Sequence, residues 1–250
     1  AETSEKLTSK IFKYSRSIGM EIFSSPFDIA AVNFLETLKC PAYKIASPEI
    51  CHIPLIERVA KTKKPIIISL GLAQMKDIDL ALKTIRKIGN NKITLLQCVS
   101  SYPAPIIEQN IKSISAIKKK YKTLGGLSDH TKGFIAAVSA VVMGAKIIEK
   151  HFNLSQNKSV DSFFSSTEKE FKTMVDNIRL AEASLGSGKI EISKSSKKNF
   201  NSRRSIYVSR DIAKNEIISD DNIRIVRPNH GLHPKFYKYV LNKKSNANLK

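Results

Sequence analysis

The 250-residue chain has no tryptophan, few cysteines and a shortage of acidic side chains. Its cysteines, Cys40, Cys51 and Cys98, form no C-x-x-C pair and are odd in number. They indicate neither a disulfide framework nor a zinc knuckle, and they fit a reducing, cytoplasmic location. The longest nearly uninterrupted apolar run, Gly133 to Ala145, is well short of the roughly 20 residues that span a bilayer, so we expect no membrane partner.

Acidic residues number 22 against 42 lysines and arginines, which gives a formal net charge of +20. Such an excess raises the question of nucleic acid binding. The lysines are scattered along almost every segment, however, and no aromatic and arginine series accompanies them. We therefore expect a solvated basic surface that attracts small anionic substrates, and no nucleic acid partner. A nucleic-acid binder whose affinity falls steeply with salt is the alternative.

No glycine-rich dinucleotide-binding sequence follows any of the apolar runs, which argues against a doubly wound sheet. Instead, six short β-rich runs alternate with helical patterns, which is typical of an α/β fold. The runs are Met20 to Ser24, Tyr43 to Ala46, Pro65 to Leu70, Ile93 to Val99, Leu124 to Leu127 and Ala145 to Glu149. Because a TIM barrel, (β/α)8, has eight strands, we predict such a barrel lacking its first two strands, in a chain that begins inside a larger protein.

The pattern changes after the last β-rich run. Thr167 to Leu185 has the spacing of an amphipathic helix and ends at Gly186. A polar stretch rich in lysine and serine follows, and short strands with turns begin near Arg203. We predict a partial barrel domain over residues 1–188, a linker over 189–202 and a small, partial β domain over 203–250.

Two histidines lie at equivalent places, His130 just past the fifth β-rich run and His151 just past the sixth. Adjacent barrel strands would bring them together at the rim that carries the chemistry of such folds. Two imidazoles with open coordination positions suit a divalent ion acting as a Lewis acid. We expect Asp129 and Glu149 to orient the two rings. The alternative is one capping or core histidine and one unrelated surface histidine.

Polar residues recur just beyond the other β-rich runs. A lysine, hydroxyls and loop amides are what a phosphate or carboxylate needs, so we predict an anion cradle of Lys44, Ser47, Ser69, Gly71 and Ser128. Each serine taken singly is equally a turn residue.

Two further residues have a choice of roles. Tyr102 is either a hydrophobic wall or a hydroxyl facing a sugar, and Asp161 either holds sugar hydroxyls or shapes a turn.

Six segments taken together carry a family resemblance. They are Phe23 to Asp28, Tyr43 to Ser47, Ile68 to Gly71, Cys98 to Pro103, Gly126 to Thr131 and Ile148 to Phe152. In order and spacing they resemble the sialic acid synthase family, whose members are similar to N-acetylneuraminate synthase. The tail resembles that family's antifreeze-like (SAF, β-clip) domain. Within the family, Val160 to Ser162, Arg203 to Tyr207 and Arg227 to Lys235 most resemble the pseudaminic acid branch.

The resemblance implies an enzyme that condenses phosphoenolpyruvate with the open-chain aldehyde of an N-acetylated amino sugar. This transferase forms a carbon–carbon bond, releases phosphate and gives a nine-carbon 2-keto acid, a nonulosonic acid. It implies a divalent metal, Mn²⁺ with Mg²⁺ or Co²⁺ as alternatives, held by His130 and His151. Lys44 and Tyr102 are expected to join the two histidines as catalytic residues.

The resemblance also assigns the substrate contacts. Phosphoenolpyruvate would be held by Lys44 with the residues of the cradle, namely Ser47, Ser69, Gly71 and Ser128, and Ser100 would add to the substrate site. Tyr102 and Asp161 would face the sugar. Arg204 would reach the N-acyl group in the partner subunit's barrel, which implies a domain-swapped homodimer for the full-length protein.

Departures from the family pattern qualify these expectations. An acidic residue that handles the attacking water and a further lysine belong to the family's first strands, so we expect the chain as given to be inactive. Ser100 stands where the neuraminate branch has asparagine, which favours the pseudaminate or legionaminate branch. The alternatives are therefore an N-acetylneuraminate or legionaminate synthase, or a noncatalytic fragment that retains ligand binding.

Overall fold

A computed structural model describes residues 3–154 and 158–250. The chain divides into two compact units, Ala1–Gly186 and Ser187–Lys250. The predicted linker edges at residues 189 and 202 stay a prediction. The stretch 187–204 is exposed throughout and contains two short helical turns, Lys194–Lys197 and Phe200–Ser202. None of the helices in the described ranges is long and apolar enough to cross a membrane.

Strands and helices alternate through most of the first unit. Its helices are α1 Glu5–Ser17, α2 Ile29–Thr37, α3 Ile53–Lys61, α4 Met75–Lys87, α5 Ser113–Tyr121, α6 Ile135–Val142 and α7 Glu168–Ser184, and its strands are β1 Tyr43–Ile45, β2 Ile66–Ser69, β3 Ile93–Cys98, β4 Leu124–Asp129 and β5 Ile147–Lys150. The second unit contains α8 Lys194–Lys197, β6 Ser205–Val208, β7 Ile223–Val226 and α9 Tyr237–Val240.

The five strands of the first unit form one parallel sheet in chain order, β1 to β5. In a flat sheet, four strand spacings of about 4.8 Å would place β1 about 19 Å from β5. Yet Lys44 Nζ of β1 lies 3.1 Å from Glu149 Oε1 of β5. The sheet therefore curls as a barrel does, and the predicted α/β fold, a partial TIM barrel, is confirmed.

The core lies between the sheet and its helices. Leu55 and Val59 of α3 and Ile78 and Leu82 of α4 are spaced four residues apart, which puts each pair on one helix face. All four are buried in one cluster with Ile66 and Ile68 of β2, and Ile67 is buried on the other face. Continuous apolar runs such as β2 are thus buried on both faces, as expected for parallel strands.

The prediction of a strand over Met20 to Ser24 is wrong. In the run Met20 to Ser24, only Ser24 pairs, through a single parallel bridge to Tyr43. Met20 and Phe23 are exposed by 62% and 43%, so this run has neither the ladder nor the burial that would make it regular. The single bridge nevertheless lies on the β1 side, in the place that the prediction gave it.

The last helix of the barrel unit confirms its predicted extent. Thr167 caps α7 through a reciprocal pair of hydrogen bonds with Glu170, a capping box. Met174 and Ile178 face Ala137 and Val141 of α6 in a separate buried cluster. This packing fixes the helix that follows the β5 end of the sheet.

The second unit contains the predicted pair of short strands. β6 and β7 pair antiparallel, and Ile206, Ile212 and Ile223 form the centre of its small core. A bridge from Ile212 to Leu249 brings the end of the chain back onto this core. The unit is thus a small β domain with its own apolar cluster.

Candidate active site

The strand register places the candidate residues on one face of the sheet. Lys44 is opposite Ile67, so Ser69, two residues further along β2, shares the face of Lys44. Ser128 pairs with Cys98 on one side and with Glu149 on the other. Since Lys44 contacts Glu149, this face lines the inside of the curled sheet.

Lys44 is the charged centre of this inner face. Its ammonium group donates to Glu149 Oε1 at 3.1 Å, and the Ser128 hydroxyl donates to the same oxygen at 2.6 Å. Lys44 and Ser128 are buried, whereas the Glu149 side chain is 37% exposed. The two predicted anion donors therefore converge on one point, which a carboxylate of the chain itself occupies.

Two other serines of the predicted cradle, Ser47 and Ser69, are buried at the ends of β1 and β2. Ser47 follows β1, and its Oγ accepts a hydrogen bond from the Leu72 amide at 2.6 Å. Ser69 Oγ is buried and has no hydrogen-bond partner among the described residues. A buried hydroxyl without a partner is costly, so its presence suits a site completed by a ligand.

Gly71 allows a close approach of two loops at the rim. A Cβ at this position would lie 2.3 Å from Ser100 Oγ and 3.0 Å from Cys98 Sγ, both too close. Glycine therefore brings the loop after β2 against Ser100, the residue predicted to join the substrate site. Burial raises the pKa of the Cys98 thiol, so this side chain stays protonated between the two loops.

The two histidines meet, as their positions predict. His130 follows β4 and His151 follows β5 directly, and their ring centroids are 5.3 Å apart in an edge-on arrangement. Their predecessors, Asp129 and Lys150, are register partners, so the ladder itself aligns the two rings. His130 is buried and His151 is about one-third exposed.

Hydrogen bonding leaves one nitrogen of His130 available. Its Nδ1 lies 2.8 Å from the Val99 carbonyl oxygen, which only accepts, so Nδ1 carries the proton and Nε2 keeps its lone pair. Burial lowers the pKa of His130 from its ordinary value, and the proximity of His151 lowers it further, while the Val99 bond opposes both. The ring is thus neutral at pH 7, which is the form that ligates metals.

A polar contact likewise marks one nitrogen of His151. Its Nδ1 lies 3.5 Å from Asp161 Oδ2, a carboxylate on the following loop. Among the described residues, no polar group contacts Nε2 of His151. Asp161, predicted to face a sugar or shape a turn, thus lies beside a candidate metal ligand, where it orients the ring.

An aromatic wall borders the two imidazoles. The Tyr102 ring centroid lies 4.3 Å from that of His130 and 5.9 Å from that of His151. Phe164 packs against both Tyr102 and His151, at 5.3 and 4.8 Å between centroids. Tyr102 is half exposed, and burial of part of its side chain raises its pKa, so the hydroxyl remains a hydrogen-bond donor.

The prediction that Asp129 and Glu149 orient the two histidine rings is wrong, because both carboxylates contact other residues. Asp129 pairs with Lys150 on the other face of the sheet, and Glu149 accepts from Lys44 and Ser128. The alternation of side chains along a strand explains the Asp129 result, because Asp129 and His130 are adjacent in sequence and point to opposite faces. Glu149 shares the inner face with His151, but Lys44 and Ser128 hold its carboxylate there.

One contributor to the site escaped the prediction from sequence. Phe164 completes the aromatic wall, yet its loop has no periodic pattern that marks it.

A metal would have few protein ligands here. Within the described ranges, the His, Cys, Asp and Glu side chains form no group of three or more that could hold a metal ion. The two imidazoles would therefore form an open site, with positions left for water or substrate oxygens. Such a donor set fits a divalent ion that works on a bound substrate.

Arg204 belongs to the second unit. It is exposed and donates to the Ile225 carbonyl at 2.9 Å, which ties it to β7. Its predicted contact with a sugar in another subunit stays a prediction.

A parallel barrel segment with a polar rim, joined to a small β unit, is the architecture of sialic-acid-type synthases. The chain belongs to the NeuB family, whose sequence profile matches residues 1–190, and the profile of the SAF domain matches residues 203–250. The resemblance seen in the sequence is therefore confirmed.

Two synthases of Campylobacter jejuni are similar to this chain over nearly its whole length. It is 42% identical over 251 residues to the pseudaminic acid synthase of Campylobacter jejuni, covering 100% of this chain and 73% of the relative. It is 36% identical to the N,N'-diacetyllegionaminic acid synthase of the same organism, covering 98% and 75%.

The solved structures agree with these sequences. The N-acetylneuraminic acid synthetase of Leptospira borgpetersenii, in complex with citrate, is 33% identical and superposes with a TM-score of 0.74 over 79% of this chain and 70% of that one. The chain is therefore an enzyme of the sialic acid synthase type.

Proposed function

We propose that this chain carries the catalytic rim of a pseudaminic acid synthase. The reaction is the condensation of phosphoenolpyruvate with the open-chain aldehyde of an N-acetylated amino sugar. Pseudaminic acid is favoured as the product because identity is 42% to a pseudaminic acid synthase and 36% to a diacetyllegionaminic acid synthase of one organism. Legionaminic and N-acetylneuraminic acid are the alternative products.

The observation that supports this proposal best is that the candidate anion site lies next to the pair of histidines. Lys44 and Ser128 converge on one point of the inner face, and the two imidazoles follow Ser128 and Glu149 two residues further along their strands. Phosphoenolpyruvate carries a phosphate and a carboxylate, and such a cradle would offset both charges and fix the direction of attack. The Ser69 hydroxyl would gain in this complex the partner that it lacks.

The histidine pair would hold a divalent ion, Mn²⁺ in the first place and Mg²⁺ or Co²⁺ as alternatives. His130 and His151 would bind it through Nε2, since Nδ1 of each ring faces Val99 or Asp161. When bound, the ion would polarise the aldehyde of the sugar and make its carbon electrophilic.

The bond changes balance without a further reactant except water. The electron pair of the phosphoenolpyruvate double bond forms a bond from the methylene carbon to the aldehyde carbon, and the aldehyde oxygen becomes a hydroxyl by taking one proton from water. The remaining hydroxide adds at the carbon that bears the phosphate. The bond from that carbon to the phosphate oxygen then breaks, the second water proton leaves with the phosphate, and the 2-keto acid remains. Lys44 would stay paired with the anionic groups throughout. Tyr102, 49% exposed on the aromatic wall, and Asp161 would face the sugar.

Arg204 and the subunit arrangement complete the proposal. The Arg204 side chain is exposed and its guanidinium suits the oxygen of an N-acyl group, which it would reach in the barrel of a second copy of the chain. A domain-swapped homodimer follows. A cytoplasmic location is part of the same proposal and is supported by three free cysteines.

The proposal is tested with the full-length protein that carries this chain. Phosphoenolpyruvate, Mn²⁺ and each branch's amino sugar are supplied in turn, and released phosphate and the nonulosonic acid are measured by colorimetry and mass spectrometry. We expect turnover with the pseudaminate precursor, its loss in excess chelator, and its loss in His151→Ala with the circular dichroism spectrum retained. Equal turnover in excess chelator, or in His151→Ala, would refute the metal role of the histidine pair.

A further inference from the structure

A buried ion pair lies directly behind the two histidines. Asp129 Oδ2 is 2.8 Å from Lys150 Nζ, and the two side chains are 0% and 2% exposed. Thr131 joins them, because its amide and hydroxyl donate to Asp129 Oδ1 at 2.9 and 2.7 Å while its carbonyl accepts from Lys150 Nζ at 2.6 Å. We name Asp129, Thr131 and Lys150 the clasp.

The clasp spans the two strand ends that carry the imidazoles. Asp129 and Lys150 are register partners at the ends of β4 and β5, and a histidine directly follows each of them in the sequence. Side chains alternate across a sheet, so the clasp lies on the outer face while both rings lie on the inner one. Thr131 follows His130, so the clasp holds the backbone on both sides of that ring.

The chemistry of a buried pair argues that the clasp does more than add stability. Removing two charges from water costs about as much as their attraction returns, so apolar residues of similar size often serve stability equally well. What the ion pair adds is a fixed geometry. Lys150 bonds a carboxylate and a carbonyl of the neighbouring strand end, which leaves β4 and β5 one relative position at this point.

We propose that the clasp is a positioning device that sets the separation of His130 and His151 for one shared divalent ion. The inference rests on the proposed function, because that function supplies the metal site. Asp129 and Lys150 act through the backbone and touch neither the ion nor a substrate.

The test compares Mn²⁺ binding by the 250-residue chain and by the double variant Asp129→Asn/Lys150→Met, using isothermal titration calorimetry. Asparagine still accepts from Thr131, whereas methionine fills the lysine's volume without its donors. We expect Mn²⁺ affinity to fall by about 10–100-fold, as is usual when a group that orients a metal ligand is lost. The matched control is Glu36→Gln/Lys64→Met, which removes a lysine–glutamate pair outside the site and should leave Mn²⁺ affinity unchanged.

A measurement on the metal-free protein tests the positioning role of the clasp independently of Mn²⁺ binding. In the unaltered chain the two imidazoles are close enough for a nuclear Overhauser effect between their ring protons, and the clasp variant should lose it. Should the asparagine–methionine variant fail to fold, Asp129→Leu/Lys150→Met supplies a fully apolar pair of the kind that folds well.

The outcomes separate the two proposals. A folded clasp variant that keeps both the Mn²⁺ affinity and the ring contact of the unaltered chain overturns the positioning role. An unaltered chain that binds no Mn²⁺ refutes the metal site of the proposed function, while the ring contact still decides the role of the clasp.

Discussion

The carboxylate of Glu149 occupies the point where an anionic substrate would need Lys44 and Ser128. It accepts from both groups at 3.1 and 2.6 Å, so a bound phosphate must displace it or lie beside a like charge. Glu149→Gln keeps the size of the side chain and an oxygen that accepts from Ser128. The substitution removes only the charge that competes with the ligand.

Two opposite effects follow from the geometry. Without ligand, Lys44 loses its counter-ion in a place where its side chain is 11% exposed. Breaking a fully buried pair costs about 3–5 kcal/mol, and with Glu149 partly exposed we expect about 2 kcal/mol, or about 4–8 °C in Tm. With ligand, the like-charge repulsion is gone, and a gain of about 1.4 kcal/mol would tighten inorganic phosphate binding about tenfold.

The assay measures thermal unfolding and phosphate affinity in the 250-residue chain and in Glu149→Gln. We expect a lower Tm in chloride buffer and a larger rise of Tm on adding phosphate than in the unaltered chain. Glu36→Gln is the control, since it removes the same charge from the Lys64 pair outside the site. If Glu149→Gln bound phosphate no more tightly than the unaltered chain, the Glu149 carboxylate would not compete with the ligand for Lys44 and Ser128.

Three further predictions follow from single positions. Ser69→Ala removes a buried hydroxyl that has no partner in the described part of the chain, so we expect the free energy of unfolding in urea to rise by about 1 kcal/mol while phosphate affinity falls. A loss of stability would show that the hydroxyl is already hydrogen-bonded. Gly126→Ala would place a Cβ 2.4 Å from the Ile147 carbonyl oxygen, and an expressed variant with native Tm would contradict the close β4–β5 packing. The pKa of His130 in the folded chain lies below its ordinary 6.5, so the unfolded chain takes up a proton more readily than the folded one. The neutral ring therefore contributes stability at higher pH, and this contribution is lost as pH falls through the folded pKa. The urea midpoint should therefore drop between about pH 7.5 and pH 5.5, and this drop should shrink in His130→Gln, whereas an equal drop in both proteins would assign the effect to other groups.

The parallel sheet and the histidine pair are the parts that local sequence determines. Apolar runs such as Ile66 to Ile68 predict strands buried on both faces, and their alternation with helices predicts a parallel order. In such an order, residues that follow neighbouring strands share one edge. His130 and His151 therefore meet for a reason that the sequence already contains.

The contacts of Glu149 and Phe164 depend on information that a single segment does not hold. Glu149 pairs with a lysine 105 positions away, and this contact exists because the sheet curls until β1 approaches β5. Strict alternation in β5 would still have assigned Glu149 to the face of Ser128. Phe164 lies in a loop without periodicity, so only the folded chain places it on the aromatic wall.

Anomalous diffraction at the manganese absorption edge, from crystals grown with Mn²⁺, would locate the ion relative to the two histidines. We expect one strong peak bonded to Nε2 of both His130 and His151, on the side of the rings that faces Lys44 and the aromatic wall. A peak bound elsewhere, or clear density for both rings with no peak between them, would contradict this expectation.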